Sequence, residues 1–341
     1  MTAIRADRLP EAASYDADII ILSLDRPDDT EAAIVSALSQ TGLTRQVIVL
    51  DQGSTPENLA RFTRLIDGRA DARLAEAGGN VGVAGGRNRA SALGEGRVII
   101  ALDNDAVFAT PDTAAQAVAA LDATADCAVV AFRILNGDGS ADDHACWGYP
   151  DALRPRAAER FACATFVGAG HAISRRAWVE VGGYDSALEF TWEEFDFALR
   201  AIARGWHLRY DGTLAVHHKR ATAARIDWGD KRWFLYVRNR LYIARKWRRP
   251  AVVLAARATA YALKSFRIGL PGQGLRGIRA GLSMPLPHPP APIGEAAAAY
   301  LWQTDGRWRG GFWQRLRLEV FAALPSSRQT GAGNSSVTNR R

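Results

Sequence analysis

The chain has 341 residues, 48% of them hydrophobic and 23% charged, and a formal net charge of +7. These are globular values at more than one typical domain's length, which excludes a disordered or fibrous chain. Three cysteines, Cys127, Cys146 and Cys163, lack CxxC spacing. They argue against a disulfide framework or a zinc site and fit a reducing cytoplasm.

Nearly all the positive charge is arginine, and the four lysines (Lys219, Lys231, Lys246, Lys264) lie in the second half with the densest arginine clusters. That asymmetry points to an anionic partner, either phospholipid or a phosphate-bearing substrate. Residues 1–15 read as a flexible leader without the apolar core of a signal peptide. No stretch reaches the roughly 20 apolar residues of a membrane-spanning helix, so a cytoplasmic protein, soluble or peripheral at the inner face of the membrane, is expected.

Residues 18–22 form an apolar run leading into Ser23-Leu24-Asp25, and Arg26-Pro27-Asp28-Asp29-Thr30 opens a helix to about Ser39. Residues 46–50 form a second run ending in Asp51, and Gln52-Gly53-Ser54-Thr55-Pro56 turns into another helix. Val98-Ile99-Ile100-Ala101-Leu102 is a third, ending in Asp103-Asn104-Asp105. Three such runs separated by helices predict right-handed βαβ units in a mostly parallel sheet. Ligands of open α/β sheets bind beyond the carboxyl ends of the strands, so Asp25, Asp51 and Asp103 are expected along one rim. For each acid taken singly, an N-cap or turn role is the alternative. Asp103 and Asp105 are two apart on an extended chain and project from one face. Two like charges there repel unless a cation sits between them, and a hard divalent cation with oxygen ligands meets that need.

Residues 78–90 are rich in glycine but lack GxGxxG spacing and do not follow the first strand, which excludes a dinucleotide fingerprint. A helix starting near Gly85 would aim its amides at an anion, with Arg87 and Asn88 as polar contacts; a mobile loop is the alternative. Downstream the pattern predicts a helix over 111–121, a strand over 127–134, a looser span over 136–160 and a strand over 166–173. Gly182-Gly183-Tyr184-Asp185 makes a turn, and a helix begins around Thr191 and ends near Gly205. Short strands at 206–210 and 213–216 follow, the second running into His217-His218. Lys231–Arg249 mixes aromatic with basic residues, and Ala251–Ile268 continues as an alanine-rich helix. Contact with anionic lipid and simple packing with solvated arginines are both open there. Pro285–Pro292 is a break, 294–324 holds one or two helices, and 326–341 reads as a disordered tail.

In order, a first strand ending in an acid, Leu50-Asp51-Gln52-Gly53-Ser54, Asn80-Val81-Gly82, Leu102-Asp103-Asn104-Asp105, Gly182-Gly183-Tyr184-Asp185, Trp192-Glu193-Glu194-Phe195-Asp196 and a strand ending in His217 resemble the family 2 glycosyltransferases. Arg238-Asn239 resembles the rhamnosyltransferase-like branch. The resemblance spans about residues 17–245. It implies a GT-A fold, an α/β Rossmann-like and mostly parallel sheet flanked by helices, over 16–225, followed by a basic, aromatic helical extension over 226–325. The implied reaction is inverting, metal-dependent transfer of a hexosyl or deoxyhexosyl group from a nucleotide-diphosphate sugar donor to a saccharide or lipid-linked acceptor hydroxyl.

Carried over by residue, Ser23, Asp25, Asp51, Asn80, Arg87, Asp103 and Asp105 would hold the donor. Asp105 and His217 would hold Mn²⁺ or Mg²⁺. Glu194 stands at the position of the general base, where the family more usually has Asp, with Glu193 and Asp196 as substitutes and Trp192 as an acceptor contact. Ser23-Leu24-Asp25-Arg26 replaces the family's usual Pro-Thr-Tyr-Asn. Thr191-x-x-Glu194 is also a capping box, in which Glu194 merely accepts a backbone amide. Adjacent His217 and His218 point to opposite strand faces, and His217 is preferred because it follows the apolar Val216. The competing readings are a nucleotidyltransferase on a related sheet and a non-catalytic membrane- or nucleic-acid-binding module. An acidic rim repels a polyanion, so no nucleic-acid partner is expected.

Overall fold

A computed structural model describes residues 3–4, 15–219, 231–286 and 292–321. The expected tail at 326–341 and most of the leader lie outside these residues. Within the leader, β1 (Ala3–Ile4) adds a two-residue antiparallel strand beside β4.

The first half alternates as its apolar runs demand: β2 (Ala17–Ser23), α1 (Pro27–Leu38), β3 (Arg45–Asp51), α2 (Pro56–Ile66), β4 (Ala72–Glu76), α3 (Gly82–Ser91) and β5 (Val98–Leu102). Proline at the first position opens α1 and α2, where its missing N–H costs nothing, and Thr55 Oγ1 accepts the Asn58 amide at 3.4 Å. The strands β4, β3, β2 and β5 lie side by side and parallel. Every residue of β5 is buried because helices cover both faces. Ile19, Ile21, Val47 and Val49 pack on one side, and Ile20, Ile48 and Leu50 on the other.

The chain then continues through β6 (Ala106–Phe108), α4 (Thr113–Asp122), β7 (Cys127–Asn136), β8 (Arg160–Ala162), β9 (Gly170–Ser174), α5 (Arg175–Val181), α6 (Glu193–Ile202) and β10 (His207–His218). The antiparallel β9 joins β5 to β7, and β10 lies parallel to β7 and antiparallel to β6 and β8. The result is a mixed, mostly parallel α/β sheet flanked by helices. Two expectations need correction. The strand over 166–173 starts only at Gly170, and the two short strands at 206–216 are one bent strand. Its pairing with β7 slips between Asp211 and Ala215, which broke the sequence pattern in two.

The C-terminal helical region comprises α7 (Lys231–Lys246), α8 (Ala251–Arg267), α9 (Pro271–Ser283), α10 (Glu295–Thr304) and α11 (Phe312–Phe321). None of the described helices is long and apolar enough to cross a membrane. The aromatics of α7 do not all face outward: Trp233 and Tyr242 are fully buried. Tyr242 and Ile243 share a cluster with Leu188 and Leu199, which fastens α7 to the sheet domain beside α6.

Candidate active site

Because β2, β3 and β5 are parallel, their carboxyl ends share a rim, with Ser23 in register with Asp51. Asp51 is buried and accepts four hydrogen bonds, from Ser23 Oγ (2.9 Å), Ser54 Oγ (2.5 Å) and the amides of Gly53 (2.9 Å) and Ser54 (3.0 Å). Ser23 is itself wholly buried and spends its hydroxyl on Asp51. Ser23, expected at the donor, thus acts on that side through Asp51, which it braces. Asp25, at φ 52°, stays partly exposed while its Oδ1 accepts from the Thr55 amide and Asn58 Nδ2, both at 3.1 Å. Asn80 is exposed, and its Oδ1 accepts the Gly82 amide at 2.9 Å.

Just beyond β5, donor atoms of Asp103, Asp105 and His218 all lie within 4.8 Å of one another. His218 Nε2 is 3.2 Å from Asp105 Oδ1, and Nδ1 is 3.1 Å from Asp143 Oδ2. The expected partner of Asp105 was His217. Strand alternation instead puts His218 on the side of Val216, while His217 lies over Gly139, where an added Cβ would sit 2.9 Å from its Nε2. Burial disfavours a charged His218, but hydrogen bonds to Asp105 and Asp143 outweigh it and push its pKa far up, so a metal at Nε2 would have to displace that proton. Burial likewise works against ionised Asp105, and His218 with Arg26 overcomes it to hold that carboxyl low. Arg26 Nη1 lies 2.6 Å from Asp105 Oδ2. Two carboxylates and an imidazole anchored through its second nitrogen are a donor set that fits Mn²⁺, and Asp143 is the anchor. Arg26 and Asp143 are not singled out by the sequence for this cluster, since nothing in their spacing marks them, and His218 is the histidine of the adjacent pair that was set aside for His217.

Arg87 was expected to face a phosphate. It is instead buried at 3% exposure and fully engaged: Nη1 donates to Glu194 Oε1 (3.0 Å), and Nη2 to Asp103 Oδ1 (2.8 Å) and the Gly168 carbonyl (2.7 Å). One guanidinium thus separates Glu194 from the acid cluster. Glu194 bonds Arg87, and Thr191 does not cap α6: the N-cap is Trp192, and Thr191 Oγ1 has no partner among the described residues. The geometry therefore does not form the capping box. Burial raises the pKa of Glu194, with Arg87 pulling it partly back, and 14% of its side chain remains accessible. Glu193 is buried at 2% exposure with Oε2 unpartnered, and burial beside Glu194 pushes its pKa well up. Asp196, named as a substitute base, does not reach the cleft. It is wholly buried between Arg200 Nε (2.8 Å) and Lys246 Nζ (3.0 Å). Trp192 is half-buried, its Nε1 donating to the Tyr236 carbonyl at 3.1 Å, with Arg240 above the ring.

The turn that delivers Glu194 is bent sharply. Glu189 (φ 59°, ψ −65°), Thr191 (φ 68°) and Trp192 (φ 71°) all occupy positive φ without being glycine, and the Phe190 amide reaches back to the Leu188 carbonyl at 2.6 Å. Each such residue costs on the order of 1–3 kcal/mol and persists only where its surroundings enforce it. From α3, the Ala84 amide donates to the Glu189 carbonyl at 3.1 Å. Gly82, at φ 77°, leaves no room for a Cβ, which would lie 2.5 Å from that oxygen.

Residues 18–182 match the family model described as glycosyl transferase family 2. Among solved structures, the chain is 15% identical to GalNAc-T7 with UDP, GalNAc and Mn²⁺, at a TM-score of 0.55, over 78% of this chain and 54% of that one. The chain thus spans about half the length of that relative. It is 17% identical to the mannosyltransferase PcManGT from Pyrobaculum calidifontis in complex with GDP-Man and Mn²⁺, at a TM-score of 0.53, over 93% of this chain and 88% of that one. These likenesses establish the GT-A-like fold. No curated protein sequence matches the chain.

Proposed function

From the match of residues 18–182 to the family model described as glycosyl transferase family 2, we propose that this chain transfers a sugar from a nucleotide-diphosphate donor to an acceptor hydroxyl with inversion. The observation that carries the reading is the Arg87 bridge, which sets an accessible carboxylate, Glu194, one guanidinium away from Asp103 in the cation-suited cluster. In the proposed reaction the acceptor oxygen attacks the anomeric carbon from the face opposite the diphosphate. The acceptor proton passes to Glu194, the sugar–phosphate bond breaks, and its electron pair leaves on the diphosphate. Asp103, Asp105 and His218 would hold Mn²⁺ or Mg²⁺, which when bound neutralises charge on the leaving diphosphate. Asp25, Asp51 and Asn80 line the donor side. Arg26, paired with Asp105 and partly exposed, is the cation that would meet a phosphate there. The sugar is a hexose or deoxyhexose, the latter favoured by the resemblance of Arg238-Asn239 to the rhamnosyltransferase-like branch.

Calorimetry of UDP and GDP with and without Mn²⁺ tests this. Metal-dependent binding, lost in Asp105→Asn, is expected, followed by turnover in a screen of sugar nucleotides. Nucleotide binding indifferent to metal, or binding only to vesicles or nucleic acid, would overturn it.

The acceptor is proposed to be a saccharide or lipid-linked glycan met at an anionic membrane surface. Residues 231–321 carry seventeen Lys and Arg against three Asp and Glu, a net +14, so the remainder of the chain (26 basic, 33 acidic) is −7. Among the described residues, nine of the twelve exposed large hydrophobics, including Val252, Leu263, Phe266, Trp302 and Trp313, lie in α8–α11 and the turns between them. Aromatic and aliphatic groups set among arginines suit the headgroup boundary of such a bilayer.

A further inference from the structure

The bent turn ahead of Glu194 is gripped from the other side by α7. Asn239 is wholly buried, and its Nδ2 donates to the carbonyls of Leu188 (2.7 Å), Phe190 (2.9 Å) and Thr191 (2.9 Å). Arg238 completes the grip: Nε donates to Asn239 Oδ1 (2.8 Å), Nη1 to Glu189 Oε1 (2.8 Å), and Nη2 to the carbonyls of Ala187 (2.8 Å) and Leu188 (3.1 Å). Tyr242 and Lys246, one and two turns further along the same helix face, hold Asp185 Oδ2 at 2.9 and 2.8 Å. Lys246 also reaches Asp196 in the first turn of α6. Every carbonyl that the irregular backbone leaves unpaired between Ala187 and Thr191, except that of Glu189, meets a donor from α7. The Glu189 carbonyl is taken by Ala84.

We propose that Arg238 and Asn239 are positioning residues: they hold residues 187–192 in their left-handed path, and so fix the place from which Glu194 removes the acceptor proton. This rests on the transferase reading for its consequence, though not for the grip itself. The chemistry explains the residue types. Only a carboxamide offers two N–H bonds toward carbonyls and an oxygen back to a guanidinium, and only arginine supplies three nitrogens in a plane. An isosteric Asp at 239 would turn a carboxylate oxygen toward three carbonyls. A glutamate whose carboxylate is displaced by about an ångström loses about 100-fold in rate.

The test uses the full chain and two variants, Asn239→Asp and Arg238→Lys. Hydrogen exchange of the amides of 188–194 is followed by mass spectrometry, beside transfer kinetics and calorimetry of the nucleoside diphosphate with Mn²⁺. For Asn239→Asp, exchange at least tenfold faster is expected, with kcat about 100-fold lower, donor KM within threefold of the parent, and diphosphate affinity unchanged. Arg238→Lys should show the same pattern at about a tenth of the kcat loss, and it decides the matter if Asn239→Asp does not fold. Unaltered exchange in both variants overturns the grip, whether or not the chain transfers sugar. Faster exchange with parental kcat, or equal losses of kcat and diphosphate affinity, overturns the positioning role. Absence of transfer by the parent chain would instead strike the reading of function, and the exchange measurement would still decide the grip.

Discussion

The sheet domain and the C-terminal helices handle charge in opposite ways. In the sheet domain, carboxylates at or beneath the rim are met by arginines, Asp18 by Arg175, Asp211 by Arg160, and Glu194 with the more open Asp103 by Arg87, while buried Asp51 is held by hydrogen bonds alone. In α8–α11, arginines outnumber acids and exposed hydrophobics stand among them. Buried charge survives only when paired or hydrogen-bonded, so the first region is built to hold a fixed electrostatic pattern around a small ligand. The second carries an excess of positive charge that, in the proposed reading, would meet an extended anionic surface. α7 belongs to both, since it is basic by composition yet fully committed to the site by contact.

The largest expected effect would break this division if it failed. Glu194→Gln keeps an oxygen for Arg87, so we expect an unchanged melting temperature and transfer lowered about 1,000-fold. In the parent, kcat should fall with acid through a pH above the ordinary Glu value of 4.5, because burial raises this carboxyl and the base works only when ionised. Substantial turnover by Glu194→Gln would return the residue to a structural role. On the other region, Arg315→Ala with Arg317→Ala should weaken sedimentation with anionic vesicles by about fivefold per arginine. Phe266→Ser should weaken it further, and none of the three should alter transfer to a soluble acceptor. Equal binding to neutral vesicles would remove the electrostatic half of the contrast.

The smallest effect sharpens the first region. Burial raises the Glu193 carboxyl in the fold above its ordinary value of 4.5, so the parent should lose stability as pH rises through that value. Glu193→Gln should therefore raise the melting temperature by a few degrees at pH 7.5, with the gain vanishing near pH 4. A gain independent of pH would show that the carboxyl is not buried in its neutral form.

What the sequence discloses follows what is local. Residues 18–22, 46–50 and 98–102 are unbroken apolar runs ending in acids, and the rim at Asp51 and Asp103 follows from them directly. β4 was missed because Ala72-Arg73-Leu74-Ala75-Glu76 alternates polar with small residues and carries no apolar run. His217 was preferred because it follows the apolar Val216, but alternation along β10 sets His218, two residues on, on the face that Val216 takes. Arg87 looked like a phosphate ligand because the residues that bury it, Asp103, Gly168 and Glu194, come from segments that meet only in the fold. The same holds for Asn239, whose three acceptors lie about fifty residues upstream.

That long reach from α7 has a consequence for anyone recombining such enzymes. A chimaera joined between β10 and α7 would look like a clean exchange of a sugar-handling module for a tethering module, yet it would graft a foreign brace onto a native bend. The workable seam lies after Trp247, where Arg248 turns to φ 45° and Pro250 starts a new helix. Parts exchanged there keep the bend with its own support, and swaps at the earlier joint should yield well-folded proteins that hold nucleotide and stall.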